Sequence, residues 1–245
     1  LIRMLGSCDA VLCNSKSTEA DLISWCAEQS LPIPATSHFR LGSDFPRQSD
    51  AQIRGHLEQF MRQDIPFFAA IGTIEPRKNY RFLLETFEQL WVQGIAVRLL
   101  IAGRPHPLCN QLIDRMRQHP EQGHLLLTIL DANDAEIALA YAECRALVFP
   151  SLAEGFGLPL VEARTRDCLV IASDLPAFKE LADEGVSLYA RDSSEQLGQL
   201  IVAHAKPEGR SRAAPMPLFT WKASAEQLLQ RTIALAAKQL PSAHS

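Results

Sequence analysis

From Pro66 onward the sequence alternates short, continuously apolar runs with segments of helical period, and few folds accept that alternation. The runs are 67–71, 97–102, 125–130, 146–149, 169–172 and 186–189. Strands apolar on both faces are buried on both faces, as in a parallel sheet that helices cover from each side. The stretches 80–93, 108–118, 134–143, 158–166 and 176–183 supply those helices. In the first of them Leu83, Phe87, Leu90 and Trp91 fall on one stripe, with Arg81, Glu85 and Glu88 mostly off it. Asn79 stands where an N-cap belongs. The pattern predicts an α/β fold built on a Rossmann-like, doubly wound parallel sheet.

The flanks of this region differ from it. Residues 9–13 read as a short strand, Ser15 as an N-cap, 16–29 as a helix and 35–41 as a further extended segment. Two such elements cannot cover themselves and require a partner sheet that the sequence does not show. The stretch 42–64 is polar, with a helix expected near 51–62. Residues 205–217, AKPEGRSRAAPMP, read as a linker. A helix over 221–239 follows, with Leu228, Leu229, Ile233 and Leu235 among its apolar positions, and an open linker lets it dock away from its own domain. The expected organisation is therefore 1–45, 46–205, a linker over 206–219, and 220–245.

Composition removes several functions. A net charge of −4 leaves no basic excess to neutralise the phosphates of a nucleic acid. No apolar run is long enough to span a bilayer, and no signal peptide opens the chain, which starts at Leu1 and so permits a longer parent. The six cysteines form no C-x-x-C pair and have no histidines at zinc spacing, so they read as free thiols of a cytosolic protein with no metal.

Ligands of doubly wound sheets bind outside the carboxyl ends of the strands, which directs attention to three loops. In GTIEPRKN, 72–79, Gly72 lets backbone approach a ligand, and Arg77 and Lys78 are adjacent cations just before a helix N-terminus. Two cations beside that positive dipole are unfavourable by some tenths of a kcal/mol unless an anion meets them. A phosphate is one such anion, and a solvated turn is the other reading. AGRPHP, 102–107, offers Arg104 but reads better as a surface turn. In PSLAEGFGLPLVEA, 150–163, Pro159 suits a first helical turn, and the amides around Gly157 and Leu158 point outward from a helix N-terminus. Glu154 precedes that turn and Glu162 follows it, flanking it from opposite sides rather than pairing on one helical face. Carboxylates accept from vicinal hydroxyls; equally, Glu154 could cap its own loop and Glu162 be a first-turn acid favoured by the dipole.

GTIEPRKN, PSLAEGFGLPLVEA and IASDLPAFKELA together resemble the C-terminal, donor-binding half of retaining GT-B glycosyltransferases of family 4, the glycosyl transferases group 1. GSCDAVLCNSKSTEADL is similar to the last strand–helix unit of that family's N-terminal domain. FRLGSDF resembles its interdomain lead, and FTWKASAEQLL its closing helix. The resemblance implies a C-terminal GT-B domain with a remnant of the N-terminal domain, and roles for single residues. Arg77 and Lys78 would hold the donor diphosphate, Glu154 the sugar hydroxyls, and these three carry the catalysis. Gly72, Phe156, Gly157 and Leu158 would approach sugar or phosphate, Glu162 the ribose, and Leu130 and Asp131 the base; the loops DANDAEI and HFRLGSD match less closely. It implies no cofactor or metal and a nucleotide sugar as donor, with mannose from GDP-mannose favoured by GTIEPRKN. It also implies a saccharide or lipid-linked acceptor, reached through an N-terminal domain of which only the tail is present, so that the chain alone would be nearly inactive. Work in the cytoplasm at the inner membrane face would fit. A sugar-nucleotide epimerase of the same fold, or a non-catalytic assembly domain, are the alternatives; intact PRKN, EGFGLP and both glutamates favour the transferase.

Overall fold

In the computed structural model, which describes residues 2–44, 52–206 and 214–239, the chain divides into two units. One draws on residues up to Asp44, on Gly155–Leu158 and on residues from Leu218 onward. It opens with α1 (Ile2–Leu5), β1 (Ala10–Cys13), α2 (Lys16–Glu28) and β2 (Ala35–His38). β1 and β2 pair in parallel, from Ala10 opposite Ala35 to Cys13 opposite His38. Ser15 caps α2, its hydroxyl accepting from the Thr18 amide at 3.0 Å.

The larger unit begins with α3 (Gly55–Met61) and β3 (Phe67–Ile71), followed by a 3₁₀ turn over Pro76–Lys78, α4 (Tyr80–Val92) and β4 (Arg98–Ala102). Next come α5 (Asn110–Arg117), β5 (Leu126–Ile129), α6 (Asp134–Glu143), β6 (Leu147–Phe149) and α7 (Leu158–Arg164). It closes with β7 (Val170–Ser173), α8 (Pro176–Leu181), β8 (Val186–Tyr189) and α9 (Ser194–Ala205). The six strands of this unit form one sheet in the order β5-β4-β3-β6-β7-β8, every neighbouring pair parallel. This is the doubly wound sheet that the apolar runs predict. All residues of β3, β4, β6 and β7 are buried. On one face Phe68, Leu99, Ile101, Val148 and Ile171 meet Leu83, Leu84 and Phe87 of α4 and Ile113 and Met116 of α5. Each such side chain contributes about 1.5–3 kcal/mol through burial.

Three expectations change. Asn79 makes no side-chain cap: it sits in the left-handed region (φ 55°, ψ 36°), reversing the chain between the 3₁₀ turn and α4. The cations at 77 and 78 do precede α4, as expected, within a 3₁₀ turn of their own. Helix α9 is absent from the sequence expectations. It forms nonetheless, with Leu197, Gly198 and Ile201 buried and the Ser193 hydroxyl accepting from Gln196 N. The extended stretch 35–41 contracts to the four residues of β2. Residues 207–213 of the expected linker, and 240–245, lie outside the described residues.

Two buried charges tie neighbouring elements of the larger unit together. Arg98 is fully buried and donates to the carbonyls of Phe60, Gln63 and Ile65, with no ion pair to an acid among the described residues; burial pulls its guanidinium down to about 10. Glu136 completes a capping box with Asn133 at the start of α6. Its buried carboxylate also accepts from Arg54 Nε at 2.7 Å and Nη2 at 2.6 Å. The Arg54 guanidinium, ahead of the Asn133 and Arg54 amides, holds this carboxyl at about 2 against the opposing effect of burial. The folded value lies below the unfolded 4.5, so the contribution is complete above about 4.5 and is lost as pH falls towards 2. Urea titrations at pH 6 and pH 3 should show a loss on the order of 2 kcal/mol in wild type. Glu136→Gln should be less stable at pH 6 and nearly level between the two; a parallel decline in both proteins would remove Glu136 as the cause.

The last helix, α10 (Trp221–Gln239), packs on β1 and β2 in the smaller unit. Ser43 N donates to Phe219 O at 2.8 Å, and Arg40 N to Gln227 Oε1 at 2.6 Å. Gly42 allows this approach, since a Cβ there would lie 2.5 Å from the Trp221 backbone.

Candidate functional site

β3 and β6 are adjacent in space, with three strands connected outward from each side of that junction, so the loops after them flank the point where the strand order reverses. After β3 the chain enters Gly72 at φ +138°, whose carbonyl accepts from the Tyr80 hydroxyl at 2.9 Å. Gly103, just past β4, abuts it: a Cβ at 103 would lie 1.8 Å from the Gly72 oxygen. Ile74, fully buried, donates to Arg104 O at 2.8 Å, so the AGRPHP loop backs the β3 loop while Arg104 stays exposed.

The 3₁₀ turn then directs Lys78 inward. Its side chain is 8% exposed, with the ammonium 4.4 Å from the Phe149 ring centroid and 2.6 Å from Glu154 Oε1. Arg77 Nη1 reaches Glu154 Oε2 at 2.7 Å, and Nη2 reaches Glu75 Oε1 at 2.7 Å. The backbones join as well, Leu152 N donating to Arg77 O at 2.7 Å. From below, the buried Ser151 donates from Oγ to Glu154 Oε1 at 2.8 Å, and Ser173 Oγ at the end of β7 donates to Ser151 O at 2.7 Å. Burial pulls the Lys78 ammonium below the ordinary lysine range, with Glu154 opposing the shift. The anion that meets both cations in this structure is thus the chain's own Glu154.

Glu162 lies in a second pair. Its Oε2 accepts from the Tyr141 hydroxyl at 2.9 Å, and burial raises its carboxyl against the opposing effects of Tyr141 and Arg166. Tyr141, on α6, is itself buried. The structure therefore brings Gly72, Arg77, Lys78 and Glu154 together, with Glu162 within the field of Lys78. Asp131 stands apart, after the edge strand β5, exposed and 2.6 Å from Arg54; Leu130 packs against the core. Phe156 is buried, Gly157 has φ +99° and Leu158 opens α7; these three group with the smaller unit. Ser151, Tyr141 and Tyr80 are contributors that the sequence reading did not single out. Ser151 had a visible signal, three residues before Glu154 in the quoted loop; Tyr141 and Tyr80 had none.

Two cations paired with one carboxylate thus stand at the switch point of a parallel sheet, in a doubly wound α/β domain. Residues 57–207 match the family model for glycosyl transferases group 1, and the chain belongs to that family. It is 33% identical over 244 residues to the serotype-specific mannosyltransferase WbdA of Escherichia coli, covering 94% of this chain and 30% of that protein. It is 27% identical over 148 residues to the O-antigen chain mannosyltransferase RfbU of Salmonella typhimurium, covering 60% of this chain and 40% of that one. The chain thus spans well under half the length of these relatives. Among solved structures, sucrose-phosphate synthase from Thermosynechococcus elongatus matches with a TM-score of 0.71 at 23% identity, over 97% of this chain and 61% of that one. HepE of Anabaena, solved with UDP and glucose, matches at 0.65 and 16% identity, over 98% and 66%. These likenesses show the fold, that of the GT-B glycosyltransferases.

Proposed function

We propose that this chain is the donor-binding part of a retaining glycosyltransferase. It would move a hexosyl group from a nucleoside diphosphate sugar to a saccharide or lipid-linked acceptor in cell-surface polysaccharide synthesis. The observation that carries this is the Arg77–Lys78–Glu154 cluster at the β3/β6 junction. Mannose, from GDP-mannose, is the first assignment, supported by two relatives that are named mannosyltransferases, one of them of O-antigen chains. In this assignment Arg77 and Lys78 take the diphosphate, Glu154 the sugar hydroxyls and Glu162 the ribose. Gly72 admits the donor, Phe156, Gly157 and Leu158 contribute the turn beside it, and Leu130 and Asp131 lie towards the base. No resident metal or cofactor is assigned. No described helix is long and apolar enough to cross a membrane, and a peripheral position at the cytoplasmic membrane face is proposed.

In the transfer, the bond between the anomeric carbon and the terminal phosphate oxygen breaks, and its electron pair leaves with the nucleoside diphosphate. The acceptor oxygen bonds to the same face of the carbon, and its proton passes to the departing phosphate. Negative charge grows on that phosphate, where the enclosed Lys78 and the half-exposed Arg77 are already positioned to stabilise it. Calorimetric titration of this chain with GDP-mannose, GDP, UDP-glucose and UDP provides the test. Saturable heats are expected for GDP-mannose and GDP. A preference for the uridine ligands would reassign the donor within the class, whereas four silent titrations with a folded chain would overturn the class.

A further inference from the structure

We infer that Glu154 is also a built-in competitor for the diphosphate, which lets the site discriminate an intact nucleotide sugar from the nucleoside diphosphate left after transfer. The inference rests on the assignment of Arg77 and Lys78 to the diphosphate. The Glu154 side chain is 7% exposed, and both of its oxygens are engaged: Oε1 by Lys78 at 2.6 Å and Ser151 at 2.8 Å, Oε2 by Arg77 at 2.7 Å. A carboxylate has about four acceptor positions, and the chain's own donors fill three of them here. Lys78 is equally enclosed, so neither member of the pair can turn to water when the other leaves it.

A diphosphate that takes the two cations therefore strips Glu154 of its counter-charge inside the protein. With a nucleoside diphosphate alone, Ser151 is the donor left on that carboxylate among the contacts described above, and the uncompensated charge counts against binding. An intact donor brings sugar hydroxyls to the same oxygens. These replace the hydrogen bonds that the cations surrender, so the sugar and the diphosphate are recognised through one exchange. The spent nucleotide, lacking the hydroxyls, is held less well and leaves. Glu154 thus determines specificity through what it binds before the ligand arrives as well as after.

The test is calorimetric titration of this chain, as wild type and as Glu154→Gln, with GDP and with GDP-mannose. If Glu154 competes, the glutamine variant binds GDP about tenfold or more tightly than wild type, in line with the worth of a charge-assisted hydrogen bond. GDP-mannose gains less or weakens, and the preference for the sugar nucleotide over GDP collapses. If Glu154 were a sugar contact only, GDP affinity would stay unchanged while GDP-mannose weakened. If removing a negative charge acted only through its field, both ligands would tighten equally. Either result overturns the inference. Should the glutamine variant fail to fold, Glu154→Asp keeps the charge but draws it back by one methylene from Lys78 and Arg77; GDP must then tighten at constant net charge, and unchanged or weaker binding overturns the inference. Wild type that is folded but binds neither nucleotide removes the diphosphate assignment itself, an outcome distinct from wild type that binds both while the variants fail to shift GDP.

Discussion

Replacing Arg164 with alanine should lower the unfolding free energy by about 3–5 kcal/mol, the range for breaking a buried ion pair. Arg164 ends α7, and its side chain is fully buried. Its Nε and Nη2 grip Asp183 at 2.9 and 3.2 Å, while Nη1 and Nη2 donate to Cys168 O at 3.0 Å and Ala214 O at 2.5 Å. One guanidinium thereby ties α7 to the entry of β7, to the turn before β8 and to the chain at 214. The backbone has been shaped around it: a Cβ on Gly185 would lie 2.3 Å from Arg164 Cζ. Alanine at 164 would leave two carbonyls without this donor and a void the size of an arginine. Asp183 is 30% exposed and can rehydrate, whereas the cation cannot. Asp183→Ala, which strands the buried charge, should therefore cost as much as Arg164→Ala. The double variant should cost clearly less than the sum of the two. At about 2–4 °C per kcal/mol for a chain of this size, either single change lowers Tm by about 10 °C. Urea unfolding of the three proteins checks this; a loss below about 1 kcal/mol in the single variants would show that the pair organises nothing.

Such buried cations are also where the sequence was least legible. The strands of the large sheet were readable because each is apolar on both faces, and the structure moves their ends by at most one residue. Runs such as FFAAI admit few other placements. Helix α6 was readable from its length, though it carries alanines where α4 carries a leucine–phenylalanine stripe. By contrast, Arg98 and Arg164 look like surface residues in a linear reading, and only the carbonyls and the acid gathered around them make burial tolerable. In the site, Arg77, Lys78 and Glu154 were each visible at a strand end, because the topology directs ligands there. Their mutual pairing was not visible, since 76 residues separate Lys78 from Glu154. The charge repulsion expected at 77 and 78 does have an anion to relieve it, but that anion is internal. Tyr141 escaped notice for the same reason: its partner Glu162 lies 21 residues away on another helix, and a tyrosine among alanines reads as core.

Lys78→Met should weaken GDP binding by about 10- to 100-fold, opposite in sign to Glu154→Gln although both changes break the same ion pair. The sign depends on which charge the diphosphate needs. Methionine fills the space of the lysine stem beneath Phe149, and Glu154 keeps Arg77 and Ser151. The fold should survive, while one of the two cations offered to phosphate is gone. A pH titration separates this from a packing effect. Burial holds the Lys78 ammonium below the ordinary 10.5, so in the free protein it loses its proton at lower pH than an exposed lysine would. Because the neutral amine cannot pair with phosphate, wild-type affinity for GDP should fall as pH rises through that lowered value and recover as pH is brought down. Lys78→Arg, whose guanidinium stays charged throughout, should bind GDP with no such alkaline decline. An alkaline decline that persists unchanged in the arginine variant would assign the titration to another group and remove Lys78 as the phosphate contact that titrates.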